Sequence, residues 1–232
     1  MIKLQRAANR RYLRSGSQET WMTFDPGNAA DPFSRGFRAL HELNEVKLLP
    51  GTEFKLRADG NHESVTYVRE GSLSTRQRPS KDEVLGPGYY QRANSQRLMI
   101  TAGAQESPFR GAHLFVSSMT PDGKDGETSC ERKHHTFSDR RGSLRLIASP
   151  KGGTSSLRLR RDVCIYSSVL DPGHHLVHEL DPGRGVWLHV IEGRIQLLDE
   201  CLSSGDGASM DGEPAVSFTA LEPSEILLFD LA

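Results

Sequence analysis

The chain has 232 residues, 36% of them hydrophobic and 25% charged, with a formal net charge of −1. That length excludes a mini-protein and admits one large β domain or two smaller ones, and the balanced charge excludes a bulk electrostatic pull toward nucleic acid. No apolar run approaches the ~20 residues of a membrane span, and charges break the opening Met1–Arg11 where a secretory signal needs an apolar stretch, so the cytoplasm is expected.

The two halves differ mildly in charge. Residues 1–135 carry 20 Lys/Arg against 16 Asp/Glu, and residues 136–232 carry 9 against 14, an asymmetry that helps two lobes attract one another. Cys130, Cys164 and Cys201 lie far apart with no C-x-x-C pair, which points to reduced thiols rather than a disulfide framework or a thiolate zinc site.

Along the chain, turn formers are dense, with 22 Gly and 12 Pro. Between them run short β-branched and apolar stretches, such as Ser64–Val68, Val186–Ile191 and Glu225–Phe229. These predict many short strands. Apart from a weak pattern near the N-terminus, no run of ten residues has helical apolar spacing, so long helices are not expected. The class is all-β.

A shift of 122 residues superimposes Pro50-Gly51 on Pro172-Gly173 and Glu70-Gly71 on Glu192-Gly193, with Val68 on Val190 and Leu73 on Ile195 between and beyond them. A pattern repeated at fixed spacing marks a duplicated structural unit. Two β domains are therefore expected, 1–120 and 140–232. The polar, turn-rich residues 121–139 would link them.

The opening Trp21-Met22-Thr23-Phe24, then Asp31-Pro32, Gly36-Phe37-Arg38-Ala39-Leu40, Asn44-Glu45 and Leu49-Pro50-Gly51, resembles that of the pirin family. Leu146-Ile147-Ala148-Ser149-Pro150 and the ending Leu227-Leu228-Phe229-Asp230-Leu231 also resemble bacterial pirin-like proteins. The resemblance covers nearly the whole chain. It implies a bicupin, two small antiparallel β-barrels packed face to face, with a non-haem metal, usually iron, in the first. Some members of that family are quercetin 2,3-dioxygenases and others bind proteins, so fold alone leaves function open.

The family's metal motif runs Gly, five residues, His-x-His, then a Glu, with a later segment adding a His and often a carboxylate. Here that spacing reads Gly51, Arg57-Ala58-Asp59 and Glu63, and the later positions fall near Thr101 and Gly103, with Glu106 as a further donor if a gap intervenes. Arginine offers only donors and stays protonated, so it repels a metal ion. The second repeat places Glu179, Asp181 and Gly185 there, again without His-x-His. Arg57, Asp59 and Glu63 share parity on an extended strand, which makes a cavity lined by them and by Thr101 the expected remnant of the site. In it a guanidinium would take the place of the ion. A surface ion pair at the barrel mouth is the bland alternative.

His62 has the opposite parity to Glu63. His174, His175 and His178 form the densest imidazole cluster and read as a solvated turn, although they could capture a metal weakly. His189 reads as a satisfied core or barrel-lining side chain, and Cys164 as buried core. Cys130 stands among Arg132, Lys133, His134 and His135, a setting that favours thiolate and makes it a possible redox centre. Arg10-Arg11, Arg140-Arg141 and Arg158 with Arg160-Arg161 read as solvated faces.

The favoured reading is a monomeric, metal-free bicupin binding a small acidic or aromatic ligand or a protein partner, with no cofactor, membrane or nucleic acid. The alternatives are a quercetinase-type oxygenase using Fe(II) or another divalent metal on relocated ligands, a cysteine redox sensor, and a cofactor-independent enzyme with Arg57 polarising a substrate and Asp59 or Glu63 as base.

Overall fold

The computed structural model describes residues 1–55, 62–76, 83–94, 99–102, 111–120 and 129–232. The fold is the expected all-β pair of barrels. Each barrel is a seven-stranded sheet closed by a four-stranded one. The first large sheet has the order Cys130–His134, Tyr89–Ala93, Glu63–Gly71, Ala112–Met119, Leu40–Leu48, Gln18–Met22, Arg11–Ser15. The second runs Ile2–Gln5, Gly207–Asp211, Gly185–Glu192, Ser224–Leu231, Val163–Leu170, Arg145–Ser149, Leu157–Arg158. Among the described residues no helix is long and apolar enough to cross a membrane. The weak N-terminal helical pattern becomes a single 3-10 turn, Ala7–Asn9.

The repeat spacing is set by turns that only a residue without a side chain tolerates well. Gly71 and Gly193 both have positive φ, at 75° and 85°. A Cβ there would sit 2.0 Å from the Gly111 carbonyl oxygen in one barrel and 2.2 Å from that of Pro223 in the other. Strand pairing repeats as well. Phe115 lies between Tyr67 and Glu45, and Leu227 between His189 and Ser167, so these two trios, and His113 with Glu225, are equivalent positions.

Alternation along the strands divides the apolar residues into three cores. Val46, Leu48, Val68, Leu114 and Val116 fill the first barrel. Val186, Leu188, Val190, Ile226 and Leu228 fill the second. The opposite faces of the same strands, carrying Val65, Tyr67, Phe115, Trp187, Leu227 and Phe229, join in one core between the barrels. Phe24 and Phe33 from the first half meet the fully buried Trp187 edge-on, with ring centroids at 4.8 and 5.0 Å. Burying an indole of this size is worth about 5 kcal/mol.

The limits drawn from sequence at 120 and 140 do not follow the sheets. Ile2–Gln5 pairs with Gly207–Met210 in the second barrel's sheet. Cys130–His134, placed in the linker by composition, pairs with Tyr89–Ala93 and edges the first barrel's sheet. Each barrel thus receives its outer strand from the segment that leads into the other.

Candidate functional site

Two short turns follow those exchanged strands, and each delivers one arginine into the interface. After Cys130–His134, Thr136 caps the turn Phe137–Arg140: its Oγ1 accepts from the Asp139 amide at 3.2 Å, and the Asp139 carboxylate accepts from the Thr136 amide at 2.7 Å. This reciprocal cap, worth about 1 kcal/mol, fixes where Arg140 points. The turn Ala7–Asn9 has no side-chain cap; it ends on Arg10, whose amide donates to the Ala7 carbonyl oxygen at 3.2 Å. Both side chains are buried, Arg10 against Glu45 at 2.9 Å and Arg140 against Glu225 at 2.6 Å. The solvated faces expected for these two arginines are therefore corrected, whereas their neighbours Arg11 and Arg141 do lie outside, paired with Asp25 and Asp171.

Around Arg140 the two barrels build one polar network. Glu225 Oε1 accepts from Arg140 Nη1 and from the Tyr67 hydroxyl at 2.5 Å, and Oε2 accepts from Arg69 Nε at 3.2 Å. Arg140 Nη1 also donates to Ser167 Oγ at 3.1 Å and to the Tyr90 hydroxyl at 3.4 Å. Arg69 pairs in addition with Glu70 at 2.6 Å and with Glu192. Tyr67 and Tyr90 stack at 4.5 Å, and the Arg140 guanidinium lies over the Tyr67 ring. Burial, then the neighbouring Tyr90 and Glu225, push the Tyr67 hydroxyl far up. Burial opposes the charge on Arg140, but Tyr90, Tyr67 and Glu225 outweigh it and hold the guanidinium firmly protonated.

This network lines a cleft of about 1100 Å³ between the barrels. Its walls include Pro87, Phe137, Val169 and Pro223, and among the described residues its lining has five carboxylates against three guanidiniums. A smaller pocket of about 230 Å³ lies on the first barrel alone, lined by Arg14, Glu19, Lys47 and His113 among others. Beside the other turn, Glu45 accepts from Arg10 and bonds His113 Nε2 at 2.9 Å. Burial alone would raise Glu45, but His113 and Arg10 prevail and hold it at about 2.

The residues singled out by the metal motif fare differently. Arg57, Asp59 and Glu106 lie outside the described residues. Thr101 sits on the strand Met99–Ala102, opposite Glu53 and Ser74. Glu63 is fully buried, but its parity is that of Val65 and Tyr67, so it faces the second barrel and not the first barrel's interior. Its Oε1 accepts from Arg92 at 3.3 Å and its Oε2 from the Arg160 amide at 2.9 Å. Burial raises its pKa, and these two donors only partly offset the rise. The expected placement of Glu63 in the barrel cavity is thereby corrected: same-face parity holds along a strand, but the face concerned is the interface.

His62 stands beside His41, ring centroids 6.1 Å apart. His174 and His175 are exposed, while His178 turns inward to Asp230 at 2.9 Å, so the three imidazoles do not converge. Among the described residues no group of three or more His, Cys, Asp or Glu side chains is placed to hold a metal. His189 is almost wholly buried at the interface with its Nδ1 unbonded, not satisfied as expected; burial and Arg10 hold it at about 3. Cys164 is half-buried beside Asp230 rather than in a core. At Cys130 burial outweighs Arg132 and Arg92 and pushes the thiol up, which opposes the thiolate expected from its basic neighbours.

The interface network was missed from sequence because its partners lie up to 158 residues apart, as Tyr67 and Glu225 do. The doublets Arg10-Arg11 and Arg140-Arg141, each just before a repeat, were its only visible signal.

Comparison with known proteins agrees with this architecture. The family described as quercetinase C-terminal cupin domain matches residues 146–231. A quercetin 2,3-dioxygenase of Escherichia coli K12 is 28% identical over all of this chain and 99% of its own length. A pirin-like protein of Caulobacter vibrioides is 24% identical over 94% of this chain and 95% of its own. Among solved structures, the bacterial pirin YhhW of Escherichia coli in complex with nickel(II) superimposes with a TM-score of 0.86 at 26% identity, covering 100% of this chain and 99% of that one. Both barrels, the duplication and these relatives together support membership of the pirin-like bicupin family.

Proposed function

We propose that this chain is a bicupin whose first barrel has given up metal chemistry and that it works as a cytoplasmic monomer, binding a small ligand or a protein partner. The observation that carries this reading is the donor set at the motif positions. Arg57 offers only N–H donors, Thr101 an alcohol and Gly103 nothing. A site for Fe(II) calls for neutral imidazoles and a free carboxylate, and the Glu63 carboxylate is already engaged by Arg92 and the Arg160 amide. The residues present therefore do not fit the metal that the family implies, and no reaction step is derived through one.

The test is metal retention. Purified protein is incubated with Fe(II), Ni(II) or Zn(II), passed through gel filtration and assayed for the element. Retention far below one equivalent is expected, and one equivalent held through the column overturns the reading.

A second reading, a metal-dependent oxygenase of the quercetinase type with relocated ligands, is favoured by the names of the relatives and by the nickel in the E. coli pirin. Quercetin consumption with and without added metal decides it: turnover that appears only with metal supports the oxygenase, and none in either condition supports the binding protein.

A further inference from the structure

The inter-barrel cleft contains a cation with one side unused. All three hydrogen bonds of the Arg140 guanidinium leave from Nη1. Its Nε is sealed from solvent without an acceptor, which leaves Nη2, unbonded among the described residues, as the donor that an acceptor could meet. Arg140 is only 5% exposed and lines the cleft.

The same cleft disfavours a multiply charged anion. Glu70 and Glu192 stand toward its mouth, and Glu192 is 62% exposed along its side chain. Together with Glu225 they share two guanidiniums, Arg69 and Arg140, which leaves one negative charge in surplus. An oxyanion deep in the cleft therefore needs a cationic or neutral remainder facing outward.

We propose that this cleft binds a small zwitterion of the amino-acid type, its carboxylate on Nη2 of Arg140 and its ammonium toward Glu70 and Glu192. The proposal stands apart from the question of metal in the first barrel. Metal retention would overturn the proposed function and leave this site to be judged on its own result.

The experiment is a calorimetric titration of the whole protein with glycine, β-alanine, 4-aminobutanoate and 6-aminohexanoate, beside butanoate, butylammonium and succinate. At least one of the four zwitterions is expected to bind tenfold or more tightly than butanoate and butylammonium, with succinate weakest. The Glu70→Gln/Glu192→Gln double variant, altered only near the mouth, should bring that zwitterion to within about threefold of butanoate, with butanoate itself bound no more weakly than before. The proposal is overturned if no zwitterion binds, if butanoate or butylammonium alone binds as tightly, or if the tenfold preference survives in the double variant.

Discussion

Replacing Glu225 with Gln tests whether the interface network is one electrostatic unit. The substitution keeps the shape of the side chain but removes the charge shared by Arg140, Arg69 and Tyr67. Arg69 retains Glu70 and Glu192. Arg140 keeps only the neutral Ser167 and Tyr90 and becomes an uncompensated buried cation, a situation that costs about 3–5 kcal/mol. For a chain of this size each kcal/mol lowers the melting temperature by roughly 2–4 °C, so a fall of about 6–20 °C is expected by calorimetry or circular dichroism. Glu192→Gln, which removes a largely exposed partner of Arg69, should cost no more than about 1 kcal/mol. Adding Arg140→Met to Glu225→Gln should recover part of the loss, giving a coupling well outside additivity. Equal, small effects of the two Gln substitutions would refute the reasoning.

Three further outcomes are expected. Because burial holds His189 at about 3, the unfolded chain takes up its proton first as the pH falls below about 6.5, and stability is lost across that window; His189→Leu should flatten urea-midpoint profiles between pH 6 and 4.5 by about 1 kcal/mol per pH unit, with His135, which burial and Arg145 also depress, adding to the slope and the raised Glu63 working against it. Glu45 acts lower down with the sign of a depressed carboxylate: its contribution is whole above its ordinary value of 4.5 and fades toward pH 2, so Glu45→Gln should blunt acid unfolding only below about pH 4.5. Gly193→Ala should destabilise by several times the ~1–2 kcal/mol of a strained left-handed residue that Gly173→Ala costs, since both have positive φ but only Gly193 has a carbonyl in the way of a Cβ; equal melting points for the two variants would contradict this.

Much of the fold was legible because turns impose local chemistry. The Glu-Gly pairs at 70–71 and 192–193 mark places where the backbone itself demands glycine, and they set the 122-residue register that the strands Glu63–Gly71 and Gly185–Glu192 follow. The barrel-filling residues follow from period two. What could not be read is which of two apolar faces meets the other barrel. The strands Ala112–Met119 and Ser224–Leu231 are buried on both sides at all eight residues, and Glu63–Val68 next to the first is buried throughout as well, so parity groups Glu63 with Val65 without saying what they face. The fate of the arginine doublets was equally hidden. Arg10 and Arg140 look no different in sequence from Arg11 and Arg141, and burial is decided by Glu45 and Glu225, which reach them only after the sheets have formed.

The crossed outer strands have a consequence for how the molecule holds together. A chain severed between its repeats would yield two fragments, each carrying a strand that belongs to its sibling and lacking one of its own, so neither piece is a self-sufficient barrel. The two halves embrace by their leading arms as exchanged subunits do, and the covalent link makes that embrace permanent.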